Sequence, residues 1–202
     1  MTAFFTVLST VICYLTGSIP TAYVLVKIVK GVDIRAIGSK NVGATNAGRA
    51  LGVWGFCVVL ILDALKGFIP IVFLKYYCDI PVITVLLGCA ALIIGHTSPI
   101  FLRFKGGKGV AAGLGVFTAL VPISILIALV IFLLAIIITR MVSAASICAA
   151  LALAVATTIN ENQPELIIFT WMVCIFVIFG HRDNIKRILS GAENKIKILG
   201  RH

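Results

Sequence analysis

Three short segments hold most of the residues able to do chemistry. The first is Gly38-Ser39-Lys40-Asn41-Val42-Gly43-Ala44-Thr45-Asn46, followed by Gly48-Arg49. Glycines let a backbone approach an oxyanion and aim N–H groups at it. Ser39, Asn41, Thr45 and Asn46 supply short donors, and Arg49 can clamp a phosphate through two parallel hydrogen bonds. The second segment, Lys105-Gly106-Gly107-Lys108-Gly109, opens directly into an apolar run from Val110. A glycine turn at a helix start favours anions, because free N–H groups and the helix dipole point the same way. It is not a nucleotide-binding P-loop, since Gly109 stands where Ser or Thr is required. The third, His181-Arg182-Asp183-Asn184-Ile185, begins where the last apolar run ends. If that helix continues, His181, Asn184 and Ile185 share a face.

Five apolar stretches carry these segments, at about Ala3–Val26, Val53–Leu74, Pro81–Gly95, Val110–Ile159 and Leu166–Gly180. Of the 202 residues, 61% are hydrophobic and 12% charged. A soluble domain averages about 45–50% apolar and about 25% charged residues, so lipid is the expected solvent. A spanning helix needs about 20 residues. All but two of the 17 Lys and Arg residues fall in Lys27–Gly52, His96–Gly109, the tail from His181 to His202, or at Arg140. The exceptions are Lys66 and Lys75. The connections Tyr76–Ile80 and Asn160–Glu165 carry Asp79, Glu161 and Glu165 and no base.

Basic loops stay inside and acidic turns lie outside. Between Gly109 and Asn160 the chain then crosses an odd number of times, and one crossing cannot absorb the apolar length between them. Three crossings, broken at Pro122 and near Arg140, satisfy the count. The expected fold is an all-α integral membrane protein of seven transmembrane helices, with the N-terminus outside and the C-terminus cytoplasmic. A single polytopic domain covers residues 1–202. No Lys or Arg precedes Lys27, so the first stretch reads as a span and not as a cleaved signal peptide.

The net charge of +10 suits both this topology and an anionic substrate. Nucleic acid is not expected, because no binding motif or aromatic interleaving accompanies the charge. No metal is expected either: the three histidines have no second ligand nearby, and the six cysteines read as small apolar side chains. Asp63 and Lys66, three residues apart within a span, should face the bundle and pair, in a supporting role. Ser143 and Ser146 follow Arg140. Serine in a span is ordinary helix glue, although Ser146 has the chemistry to line a pocket.

These runs, with Asp63-Ala64-Leu65-Lys66-Gly67, Gly95-His96, Arg187, Gly191 and Glu193, resemble the bacterial acyl-phosphate-dependent glycerol-3-phosphate acyltransferase family. They occur in the family's order and cover the chain nearly end to end. Lys40 stands where the family often has Gly, and Ala112 where Thr is common. The resemblance implies a multi-pass protein of the bacterial cytoplasmic (inner) membrane with its site facing the cytoplasm. It implies transfer of an acyl group from acyl phosphate to the sn-1 hydroxyl of glycerol-3-phosphate, giving lysophosphatidic acid and phosphate, with no cofactor. By the same resemblance His181, Asn184 and Lys108 are catalytic, with His181 either taking the hydroxyl proton or orienting a substrate phosphate that takes it. Ser39, Asn41, Thr45, Asn46, Arg49, Lys105, Gly106, Gly107, Gly109 and Ser146 hold substrate or phosphate, with Asp63, Lys66 and His96 in support. Soluble-type acyl-CoA acyltransferases place Asp five positions after His, whereas Phe101 and Lys186 stand there. A membrane transporter of an organic phosphate anion is the alternative, although transporters hold their polar groups near mid-membrane.

Overall fold

A computed structural model describes residues 2–196, so Lys197 and Arg201 of the basic tail lie outside the described residues. The described residues are helical with no strand. Two compact units divide the chain, one running to Leu120 and the other from Val121.

The first unit contains α1 (Thr2–Ser18), α2 (Thr21–Lys30), α3 (Ala44–Leu51), α4 (Val53–Tyr77), α5 (Val82–Thr97) and α6 (Val110–Leu120). The first apolar stretch, expected to run unbroken, is interrupted at Ile19-Pro20. Proline has no N–H to continue the ladder and crowds the turn before it. The break frees the Ile19 carbonyl, which accepts the ammonium of Lys66 at 2.8 Å. α1 packs on α5, and α4 on α6. Both crossings bring backbones together through paired glycines. A Cβ on Gly17 would strike the Leu92 carbonyl oxygen, and one on Gly95 that of Tyr14. Likewise a Cβ on Gly67 would strike the Ala112 carbonyl oxygen, and one on Gly115 that of Ala64. Small residues at helix contacts are what lipid-embedded helices use to gain packing, because lipid leaves little hydrophobic drive between them.

With 11 residues, α6 is about 16 Å long, well short of the roughly 30 Å hydrocarbon layer. Its last carbonyls would be orphaned. Lys75 covers them, donating to the Ala119 and Leu120 oxygens at 3.0 and 3.2 Å. That contact accounts for the one basic residue at the acidic end of a span.

The second unit contains α7 (Pro122–Thr139), α8 (Val142–Asn160), α9 (Pro164–Gly180) and α10 (Arg182–Leu189). The expected breaks at Pro122 and Arg140 are present. Pro122 begins α7, and Arg140 ends it in the left-handed conformation, with φ 59. The last span does not run straight on into the polar segment. α9 and α10 meet at 57°, with His181 at the corner. Its amide donates to the Val177 and Ile178 carbonyls, which tightens the final turn of α9.

Among the described residues, five stretches are long and apolar enough to cross a membrane: Ala3–Lys30, Val53–Tyr77, Val82–Leu102, Pro122–Thr139 and Val142–Asn160. The bent α9–α10 pair makes a sixth. Replacing Gly115 by Val should force α4 and α6 apart and lower stability by about 1–3 kcal/mol or more, as overpacking does. A fall in Tm of the detergent-solubilised protein reads this, and an unchanged Tm would contradict the glycine contact.

Candidate active site

The first segment is held from inside by one amide. Asn46 is 1% exposed, and its Nδ2 donates to the carbonyls of Ile34, Ile37 and Asn41 at 2.9–3.1 Å. Its Oδ1 accepts the Ser39 amide at 3.1 Å. Asn46 thus has no N–H left to donate to a phosphate. The expectation that it binds substrate is corrected to that of a clamp which shapes the loop. The Ser39 amide is likewise engaged, so the Ser39 side chain, which is exposed, is what this residue can offer. The loop turns through Gly38 and Lys40, both left-handed at φ 53 and 58. Glycine adopts that conformation without strain, which explains why Gly suits the position of Lys40. Arg49, in the last turn of α3, is exposed. Its side-chain stem lies 3.1 Å from where a Cβ on Gly38 would sit, so the guanidinium leaves the surface beside Ser39. Asn41 and Thr45 are half-buried on the same loop. Arg35, by contrast, is occupied by Asp33 in an ion pair at 2.7 Å.

The second segment lies on the end of α5. The Gly107 amide donates to the His96 carbonyl at 3.0 Å, and the Gly106 amide to that of Thr97 at 3.1 Å. These two N–H groups therefore do not point at a ligand, contrary to the expectation for a phosphate cradle. What the glycines provide is the missing Cβ. On Gly106 it would meet the His96 carbonyl, and on Gly107 the His96 ring. Gly109 turns the chain at φ 82 into α6. Lys105 is exposed and Lys108 half-buried, flanking the turn. The first and second segments meet within this unit, around a small pocket lined by Val42, Pro99, Gly106 and Gly107. Asp63, Lys66 and His96 line its floor. Asp63 and Lys66 do pair, at 2.7 Å.

The third segment, in the second unit, is organised by Glu193. This carboxylate accepts from Asn184 Nδ2 at 2.6 Å, Ser143 Oγ at 2.8 Å and Arg187 Nε at 2.7 Å. Burial pushes its pKa up, but the three donors and the Arg187 charge outweigh burial and hold it below the usual carboxylate range. Asn184 is thereby fixed in orientation on α10. His181 is 3% exposed, and its Nδ1 lies 2.8 Å from the Val177 carbonyl oxygen. A carbonyl oxygen only accepts, so Nδ1 carries the proton and donates. In the neutral ring, Nε2 then holds the lone pair, the arrangement that suits a proton acceptor. Ser146 is buried and donates to the Val142 carbonyl at 2.8 Å, the bland helix bond that a serine makes one turn back.

A family model described as glycerol-3-phosphate acyltransferase matches residues 7–191. The chain belongs to the glycerol-3-phosphate acyltransferase family. A relative from Endomicrobium trichonymphae, named glycerol-3-phosphate acyltransferase, is 46% identical over 96% of each chain. One from Fusobacterium nucleatum with the same name is 46% identical over 93% of this chain and 96% of its own. Among solved structures, PlsY (YgiH), an integral membrane glycerol 3-phosphate acyltransferase, is 36% identical. Its glycerol 3-phosphate form gives a TM-score of 0.91 over 95% of this chain and 96% of that one. Its lysophosphatidic acid form gives 0.88 over 95% of each. This acyltransferase-family member is a multi-pass membrane protein, in keeping with its apolar helices.

Three residues of this acyltransferase-family chain were not singled out as site components from sequence. Glu193 is one of two acids in a basic tail, and its place among the residues that carry the family resemblance is the signal available. Ser143 and Thr21 carried none, because their partners are distant in the chain.

The Glu193 clamp gives a pH prediction. A carboxylate whose folded pKa is depressed stabilises the fold above its unfolded value, about 4.3, and loses that contribution as pH falls through the folded value. Glu193→Gln should remove about 1.5–3 kcal/mol near pH 7, the range for hydrogen bonds to a charged group. The difference in Tm from wild type should begin to shrink as pH falls below about 4.3 and vanish once pH lies below the lowered folded value. A pH-independent difference would contradict the clamp.

Proposed function

We propose that this chain transfers a fatty acyl group from acyl phosphate to the sn-1 hydroxyl of glycerol-3-phosphate, releasing lysophosphatidic acid and inorganic phosphate. The observation that carries the reading is the buried His181, whose Nδ1 donates to the Val177 carbonyl at 2.8 Å and so fixes the ring in the tautomer with its basic nitrogen at Nε2. Family membership and the likeness to a glycerol 3-phosphate form support the acceptor substrate.

The chemistry is economical because an acyl phosphate is already activated. The sn-1 oxygen attacks the acyl carbonyl carbon while its proton passes to Nε2 of His181. The carbonyl oxygen takes up negative charge, and the bond from acyl carbon to phosphate oxygen then breaks, with the electron pair leaving on phosphate. No covalent enzyme intermediate is formed. The protein's task is to hold two phosphate-bearing molecules together and stabilise developing charge, which are the large terms in such a reaction. Lys108 and Arg49 are the phosphate ligands of this reading, with Lys105, Ser39, Asn41 and Thr45 alongside. Asn184 orients the reacting groups. The glycines Gly106, Gly107 and Gly109 shape the turn that presents Lys108, and Ser146 belongs to the helix beneath Asn184's partners.

Seven crossings follow if α6 and α9 join the five long stretches, with the basic segments cytoplasmic and the N-terminus outside. The whole chain then serves as one catalytic domain of the cytoplasmic membrane, taking its acyl donor from the lipid layer.

The test is direct. Purified protein is given acyl phosphate and glycerol-3-phosphate, with phosphate release and 1-acyl product measured. Acyl-CoA and acyl carrier protein thioesters serve as competing donors. Turnover with acyl phosphate alone is the expected outcome, and equal turnover with a thioester would overturn the donor. His181→Ala should lower kcat by about 10²–10⁴, the range for a general base. Lys108→Ala should lower kcat/KM by about 10²–10³. Both should keep the wild-type Tm within a few degrees. Uptake of labelled glycerol-3-phosphate into vesicles without product would favour the transporter.

A further inference from the structure

An ion pair deep in apolar helices is expensive, and a hydrophobic pair of similar volume is often neutral or better for stability. The contacts of Asp63 and Lys66 lead to one place. Asp63 is 1% exposed, and its Oδ1 accepts from Thr21 Oγ1 at 2.8 Å and Lys66 Nζ at 2.7 Å. Lys66 Nζ also donates to the Ile19 carbonyl at 2.8 Å, tying α4 to the break between α1 and α2. The His96 Nδ1 stands 3.8 Å from the same Asp63 oxygen. That is too long for a hydrogen bond, so the ring and the carboxylate are neighbours that line one pocket.

His96 is the last link before the glycine turn. Its carbonyl and that of Thr97 accept the Gly107 and Gly106 amides, and its ring abuts Gly107, where a Cβ would collide with Nε2. Ser18 adds an independent sign that this pocket is polar by construction. Its hydroxyl is fully buried, has no hydrogen-bond partner among the described residues and lines the same pocket as Thr21, Asp63, Lys66, His96, Gly106 and Gly107.

We propose that Asp63, Lys66 and His96 are positioning residues that seat the Gly106–Gly107 turn and thereby fix where Lys108 stands. The cluster touches no substrate. It acts on phosphate affinity through the placement of Lys108, and that part rests on the reading of Lys108 given above. The seating itself does not.

The experiment uses the full chain in detergent and the double variant Asp63→Leu with Lys66→Met, which removes both charges together. If the cluster seats the turn, the Gly106 and Gly107 amides exchange hydrogen at least about tenfold faster while amides in α7–α9 do not change. The KM for glycerol-3-phosphate rises about tenfold or more and kcat moves much less. A 1 Å misplacement of a binding group carries penalties of about that size or larger. A merely structural pair would lower Tm and leave KM at the wild-type value. Unchanged exchange at the two amides, or wild-type KM, overturns the proposal. Should the double variant not be recovered folded, His96→Asn keeps the main-chain carbonyls and gives the same two readings. If wild-type protein turns over no glycerol-3-phosphate, the functional reading fails, and the exchange at Gly106 and Gly107 alone decides the seating.

Discussion

Lipid offers no hydrogen bonds, so the backbone polar groups of a spanning segment have to be satisfied by the protein itself. That constraint runs through the first unit. The carbonyl freed at Ile19 by Pro20 is taken up by Lys66. The terminal carbonyls of the short helix α6 are taken up by Lys75. Lys66 itself is tolerated because Asp63 neutralises it, and Asp63 because Thr21 completes its shell. A single shared requirement therefore explains two cations that break the charge pattern of the spans.

The same constraint governs how the loops are built. A polar loop at the edge of a bundle keeps its shape only if its own backbone is partnered. Asn46 does this for the first segment with one side chain, and the end of α5 does it for the second with two carbonyls. In the third, Glu193 instead ties side chains together, those of Asn184 and Arg187 to Ser143. In each case a buried or half-buried polar group shapes the loop, while cations such as Lys105 and Arg49 reach outward from it. Rigid support beneath and charge above is the arrangement that preorganised anion binding needs.

Much of this was legible from sequence. The apolar stretches, the breaks at Pro122 and Arg140, the pairing of Asp63 with Lys66 and the three polar segments all follow from composition and local spacing. Family membership follows from the order of those segments. The roles of individual polar residues were less legible. Asn46 and Ser39 look alike on paper as loop donors, yet one is consumed within the loop and the other is exposed. Gly106 and Gly107 read as amides for a phosphate, whereas their amides belong to α5 and their use is to lack a side chain.

What the sequence by itself determined is everything set by neighbours a few residues away: helix-length apolar runs, charge at their ends, proline breaks and glycine turns. Tertiary structure alone decided the partners of Thr21, Lys75, Ser143 and Glu193, the reciprocal glycine crossings and the bend at His181. The physical reason is that a buried hydrogen bond is chosen by which orphaned donor and acceptor meet in space, and residues far apart in the chain leave no trace of that meeting in local pattern.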